Sequence, residues 1–346
     1  MADCYFDNKC QLTIRSASAN AASTVRGCDP AIPQGTLDHT TPEAYGWLVF
    51  ITVVNIITCP LTTVLNALVI IAVATKHRLN TNTNIALACL STTDLAMGVI
   101  GQPLSISKMI AELRGNTSGT YCVRTLLATI ALRVLSSASL SHLTMMNVER
   151  YIAIKHALKY ETIVTKNRLI CLSSLMWIAE LSLTVPLSVV DDNLYFRVDN
   201  FVIPCCIATI FFCQVLLYHE TSRHKKQIAS QQVSLEAREK FLKEKKASKL
   251  TATVLFFLIL CYLPFIVARA LVSNYVISSV NLAYIALFTA RAAAVLNSLL
   301  NPIIFCVRIK QFRIAFIQLL FKKDHTEAEN IEKRVFGRLN HEIPLQ

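Results

Sequence analysis

Charge is what this chain has least of. Asp, Glu, Lys and Arg make up 16% of its 346 residues, against roughly 25% in an ordinary soluble domain. That shortage excludes a chain that meets water along its whole length. No CxxC pair occurs, so the twelve cysteines have none of the usual spacing of a zinc or thiol-redox site. GxSxG and P-loop motifs are missing too, which removes the commonest hydrolase and nucleotide-binding readings. The stretch from His219 to His224 resembles a zinc motif, but its histidines stand five apart, where HExxH puts both on one helix face with a spacing of four. No internal repeat of the kind common in transporters is visible. The first residues, MADCYFDNKCQLTIRS, have no basic-then-apolar leader, so the first apolar span is expected to act as its own insertion signal.

What is present is apolar length. Hydrophobic residues make up 53% of the chain, and mean hydropathy is +0.47. A spanning helix needs about 20 mostly apolar residues. Seven stretches reach that length: roughly 46–75, 84–107, 121–150, 168–190, 200–222, 247–272 and 281–305. The expected fold class is an all-α membrane protein, a seven-helix bundle with a short amphipathic eighth helix. Its parts are an extracellular tail over 1–45, the bundle over 46–305, a membrane-surface helix over 306–323 and a cytoplasmic tail over 324–346.

Lys and Arg set the orientation. They crowd segments 76–83, 151–168 and 223–249, while 191–199 is acidic and 273–280 is uncharged. The basic loops are therefore placed in the cytoplasm and the N-terminus outside, at the plasma membrane. The net charge of +12 then reads as a cytoplasmic-face signal and not as a nucleic-acid signal. Asn116, in Asn116-Thr117-Ser118, falls in an outer loop and is a glycosylation candidate. Cys4, Cys10, Cys28, Cys122, Cys205 and Cys206 lie outside or near the outer rim, and their connectivity is left open.

Ionisable and strongly polar residues inside a span are expensive and point to function. Asp94 lies near the middle of the second span, with Asn66, Ser139, Asn297, Ser298 and Asn301 in the first, third and seventh. A carboxylate ringed by oxygen donors suits a small cation such as Na⁺, or a proton. A water-filled network joining the helices fits equally well. Glu149-Arg150-Tyr151 ends the third span, and Glu244 precedes Pro264 by twenty residues, about 30 Å of helix. Arg150 and Glu244 are thus placed to hold two helix ends together, unless each is simply solvated. Pro264 and Pro302 each remove a backbone hydrogen bond and mark pivots.

Taken in order, these residues resemble the rhodopsin-like G-protein-coupled receptors. The resemblance runs through LNALV (Asn66), LACLSTTDL (Asp94), Glu149-Arg150-Tyr151, Trp177, Tyr218, Cys261-Tyr262-Leu263-Pro264 and LNSLLNPIIF. The basic stretch after Phe305 looks like the family's membrane-surface helix. The resemblance implies a receptor without enzymatic chemistry, whose partners are an extracellular ligand, a heterotrimeric G protein and membrane lipids. It implies that Arg150 pairs with Glu149 and Glu244 at rest and meets the G protein when active. Asp94, Ser139, Asn297 and Asn301 match the family's sodium pocket, so an allosteric Na⁺ is the one cofactor candidate. Tyr218, Tyr262, Pro264, Asn301, Pro302 and Phe305 match its activation relay.

Three departures stand out. Tyr262 occupies the usual tryptophan position, and Phe305 the usual tyrosine. Thr125 stands where the outer-disulfide cysteine is usual, and the loop 191–199 has no cysteine. A short cysteine-free outer loop is similar to those of the melanocortin, lipid and cannabinoid branches, of which the adenosine receptors are relatives.

Two ligand classes fail on single residues. Leu132 stands where amine receptors carry aspartate, and Val295 where opsins carry the retinal lysine. Arg133, Arg269 and Arg291 are placed in the outer halves of three spans, with Leu132 and Tyr262 beside the same expected cavity. Guanidinium binds carboxylate and phosphate bidentately, so an anionic small molecule or lipid is expected. The competing reading has these arginines snorkelling or paired with Asp191, Asp192, Asp199 or Glu180. A peptide-activated or constitutively active receptor is the alternative within the class, and a transporter the one outside it. The tail after Lys323 holds a single hydroxyl residue, Thr326. Arrestin recruitment is therefore expected to be weak or to depend on Ser230, Ser234 and Ser248 of the third loop.

Overall fold

The computed structural model describes residues 42–115, 119–156, 159–190, 192–230, 250, 252–264, 267 and 280–342. Every regular element among them is helical. In lipid no water satisfies backbone groups, and a helix satisfies its own. Helix α1 covers Pro42–Thr75. After a 3₁₀ turn at His77–Leu79, α2 runs over Asn82–Ala96, capped by the Thr81 hydroxyl accepting the Asn84 N–H at 3.3 Å. A π turn, Met97–Gly101, joins α2 to α3, Gln102–Leu113. Helix α4 is Gly119–Lys155, α5 is the short Tyr160–Ile163, α6 is Lys166–Val190 and α7 is Asp192–Ser230. Helix α8 covers Ala252–Pro264, α9 Val280–Arg308, α10 Lys310–Phe321 and α11 His325–Glu342.

Among the described residues five helical stretches are long and apolar enough to cross a membrane: α1, α2 with α3, α4, α6 and α7. The shorter apolar helix α8 and the Val295–Arg308 part of α9 stand at the sixth and seventh places. The fold is a seven-helix membrane bundle. Helix α4 is its central post, packing against α2, α3, α6 and α7, while α1 closes on α2, α3 and α9.

The lipid-facing helices are apolar outside and polar inside. On α6, Ile178 and Leu183 are more than 60% exposed, while Ser173, Thr184 and Ser188 are buried. The solvent of this surface is hydrocarbon, so exposing leucine costs nothing and hydroxyls turn inward to find partners. His142 of α4 shows the result: its Nδ1 donates to the Ala138 carbonyl at 2.7 Å, and its Nε2 meets the Ser173 hydroxyl at 2.8 Å.

One expectation needs correction, and another gains detail. Residues 192–199, read as outer loop, already belong to α7, because no glycine or proline interrupts the sequence before Pro204. The tail after 324 contains α11. Asp324 starts it by accepting the Glu327 N–H at 2.8 Å, a helix-opening signal that is legible in sequence.

Candidate functional site

Asp94 is fully buried in α2. Asn301 Nδ2 donates to its Oδ2 at 2.7 Å, and the Ser139 hydroxyl to its Oδ1 at 3.4 Å. Asn66 Nδ2 donates to the carbonyls of Thr62, at 2.9 Å, and Ser298, at 3.0 Å, fastening α1 to α9. The expected polar residues are thus gathered from four helices. Several of their atoms remain without a protein partner: Asn66 Oδ1, Ser91 Oγ, Asn301 Oδ1 and both side-chain heteroatoms of Asn297. Buried polar groups nearly always find a partner, so these atoms are open to ordered water or to an ion. One carboxylate among neutral oxygen donors suits a hard cation or water. Among the described residues no cluster of three or more His, Cys, Asp or Glu exists to hold a transition metal.

Glu149 and Arg150 occupy the far end of α4, 2% and 3% exposed. Arg150 Nε donates to Glu149 Oε2 at 2.5 Å, and its Nη2 donates to Glu149 Oε1 and to the Thr83 hydroxyl. The Tyr160 hydroxyl donates to Glu149 Oε1, while Arg150 Nη2 donates to the Tyr160 oxygen at 3.4 Å. Burial first, and the Glu149 carboxylate second, hold the Tyr160 phenol above its ordinary range. Thr83 and Tyr160 therefore join α2, α4 and α5 around one ion pair, and sequence reasoning missed both. Only a tyrosine ten residues beyond an arginine hinted at the second. Tyr151 turns the other way, accepting from Lys155 Nζ at 2.7 Å. Glu244 lies outside the described residues.

The relay residues divide. Asn301, Pro302 and Phe305 are buried, and Phe305 stacks against Phe312 of α10 with ring centroids 6.2 Å apart. A phenylalanine suits that apolar slot, where a tyrosine hydroxyl would need a partner. Tyr262 is buried in the same core. Pro264 faces outward, and Tyr218 is 71% exposed beside His219, so the structure does not bring Tyr218 to Phe305.

Of the expected ligand residues, Leu132 packs beside Met97, Leu135 and Val295 in the bundle interior. Arg133 is half-buried one residue on, and its carbonyl accepts from the Ser137 hydroxyl at 2.9 Å. The ridge through Arg133, Ser137 and Ser141 faces α6, where the hydroxyls of Ser137 and Ser141 donate to Glu180 at 2.6 and 2.8 Å. Helix α9 carries Arg291, whose side chain lies outside the described atoms. Arg269 and Asn116 lie outside the described residues altogether. Cys205 and Cys206 are free thiols, whereas Cys4, Cys10, Cys28 and the Cys122 side chain are also outside the description.

The chain matches the family model described as "7 transmembrane receptor (rhodopsin family)" over residues 65–205 and 193–305. It is similar to the histamine H2 receptor of Cavia porcellus, 25% identical over 83% of this chain and 82% of the relative. It is similar to the adenosine receptor A3 of Ovis aries, 26% identical over 74% of this chain and 84% of the relative. It is also similar to the growth hormone secretagogue receptor type 1 of Mustela putorius furo, 24% identical over 74% and 76%.

Proposed function

The chain belongs to the rhodopsin family of seven-transmembrane receptors, and on that premise we propose that it carries an extracellular anionic signal across the plasma membrane. It is a G-protein-coupled receptor and not an enzyme. In the proposed orientation the N-terminus is outside, as the basic segments 76–83, 151–168 and 223–249 support. The Arg150 end then faces the cytoplasm and the G protein.

The single observation that carries the coupling role is the buried Arg150, neutralised by Glu149 and tied to Thr83 and Tyr160. A charge held this way is a two-state element, since exposing it requires breaking a compact set of bonds. We assign Na⁺ to the centre as an allosteric ligand, held by Asp94 with oxygens of Ser139, Asn297 and Asn301. The unpartnered carboxamide oxygens of Asn297 and Asn301 support that fit. Bound there, a cation would offset the Asp94 charge and draw α2, α4 and α9 together.

The ligand is proposed to be a small carboxylate or phosphate compound, or an anionic lipid. Arg133, Arg269 and Arg291 support this by residue type and helical position. The relatives are named for histamine, adenosine and a growth hormone secretagogue, so their names do not converge on one ligand. Leu132 argues against an amine. A screen of anionic metabolites and lipids in cells with a promiscuous G-protein reporter tests the reading. The agonist found should lose potency at least tenfold when Arg133, Arg269 or Arg291 becomes alanine. An agonist indifferent to all three changes overturns it. Arrestin recruitment is proposed to be weak, or to depend on Ser230, Ser234 and Ser248. Robust recruitment after those three and Thr326 are replaced by alanine would contradict this.

A further inference from the structure

The first and second spans touch at Gly98 and stay in contact beyond it through Gln102, which donates to the Thr58 hydroxyl at 3.0 Å, and through Met109 against Leu48 and Ile51. A Cβ on Gly98 would stand 2.6 Å from Thr63 Oγ1, and Cys59 Sγ donates to the Gly98 carbonyl at 3.2 Å. Gly98 lies within the π turn and Pro103 comes soon after it, and a π turn shifts the phase of the helix beyond it. Past this closure, toward the outer face in the orientation proposed above, a cavity of about 550 Å³ opens between α1, α3 and α4.

Ile56 and Cys59 of α1 form one wall, and Pro103, Ile106 and Ile110 of α3 the other, with one hydroxyl from Ser107. Positions 103, 106, 110 and 114 recur at helical spacing and so share one face. Over that stripe α3 rises about 16 Å. It ends on Arg114, and Arg124 of α4 lines the same cavity; both are exposed. Among the described residues no carboxylate forms an ion pair with either arginine. Two guanidiniums facing one cavity repel each other unless an anion lies between them.

An apolar groove that ends on two cations with no ion-pair partner among the described residues is the complement of an amphiphile. We propose that this cavity binds a single-chain lipid with a phosphate monoester head. The chain lies along Pro103, Ile106 and Ile110, and the head between Arg114 and Arg124. A monoester carries close to two negative charges near neutral pH, which matches two guanidiniums where a carboxylate would offset only one. Arginine forks bind phosphate oxygens bidentately. The volume lies within the roughly 300–1,000 Å³ of small-ligand sites. The lining residues include none of those proposed for the agonist, and the site does not depend on that agonist.

The test uses the full chain in phosphatidylcholine nanodiscs with hexadecyl phosphate carrying a diazirine in its tail. After photolysis, labelled residues are located by mass spectrometry. Labelling should concentrate on 56–59 and 103–110 and be displaced by unlabelled hexadecyl phosphate. The double change Arg114→Gln, Arg124→Gln should weaken that displacement at least tenfold, and Ile106→Trp should reduce tail labelling. Arg133→Ala should leave both unchanged, which separates this site from the agonist reading. Labelling spread over the lipid-facing residues, or indifferent to the arginine pair, overturns the proposal. Equal displacement by hexadecyl phosphocholine would mean a groove without headgroup selection. Equal displacement by inorganic phosphate would mean an anion site without a lipid. Either result also overturns it.

Discussion

Glu149 and Asp94 are both buried carboxylates, 2% and 0% exposed, yet their surroundings differ in kind. Glu149 has a guanidinium on both oxygens and the Tyr160 hydroxyl besides. Asp94 meets only neutral groups, the Asn301 carboxamide and the hydroxyls of Ser139 and Ser298, among five atoms of Asn66, Ser91, Asn297 and Asn301 that meet no protein partner. A satisfied network fixes one arrangement, and a half-satisfied one invites an occupant. On that difference rests our proposal that the Arg150 end holds a state and that the Asp94 centre is adjusted by what it binds.

Breaking the satisfied site should have the largest effect. Arg150→Ala leaves Glu149 buried and unpaired, a loss of about 3–5 kcal/mol in comparable cases. A fall in Tm of the purified receptor, together with lost nucleotide exchange on the G protein, is the expected result.

Tyr160→Phe removes the hydrogen bond donated to Glu149 and the longer one accepted from Arg150, and should cost about 1.5–3 kcal/mol, with a smaller fall in Tm. The same residue gives the pH dependence. Its phenol is held above its ordinary value, so its contribution is fully present below the unfolded value of about 10. That contribution is lost as pH rises toward the folded value. Alkaline titration followed by phenolate absorbance should show one tyrosine ionising late, and Tyr160→Phe should remove that late step.

Asn297→Ala sharpens the contrast from the other side. It deletes two heteroatoms that have no protein partner, so its effect without Na⁺ should stay within about 1 kcal/mol. A loss as large as that of Arg150→Ala would erase the distinction between the two sites.

Much of this was legible in the sequence because membrane helices expose their logic there. Twenty-residue apolar runs and charges within or at the ends of them leave few other solutions. Asp94, Asn301 and Arg150 therefore stood out as polar residues of the spans, and the resemblance to the receptor family supplied their expected roles. Contacts made between elements were not legible. Thr83 and Tyr160 meet Arg150 only after α2, α4 and α5 assemble, and Glu180 finds Ser137 and Ser141 only across the α4–α6 seam. Hydropathy also concealed how α7 takes in the expected loop. The charged helix α11 escaped as well, because a span search passes over charge. That helix docks on α10 through Arg313 and Glu332, 2.7 Å apart. Tyr218 shows the opposite limit: its order in the chain fits the relay, but its side chain faces away from Phe305.

The contrast between the two carboxylates is tested most directly by the thermal stability of the purified receptor in NaCl and in choline chloride at equal ionic strength. Na⁺ should raise the Tm of the wild-type chain, and Asp94→Asn should abolish that rise, whereas Tyr160→Phe should lower the Tm in both salts and keep the rise. A wild-type Tm indifferent to Na⁺, or a rise that survives Asp94→Asn, would contradict the account.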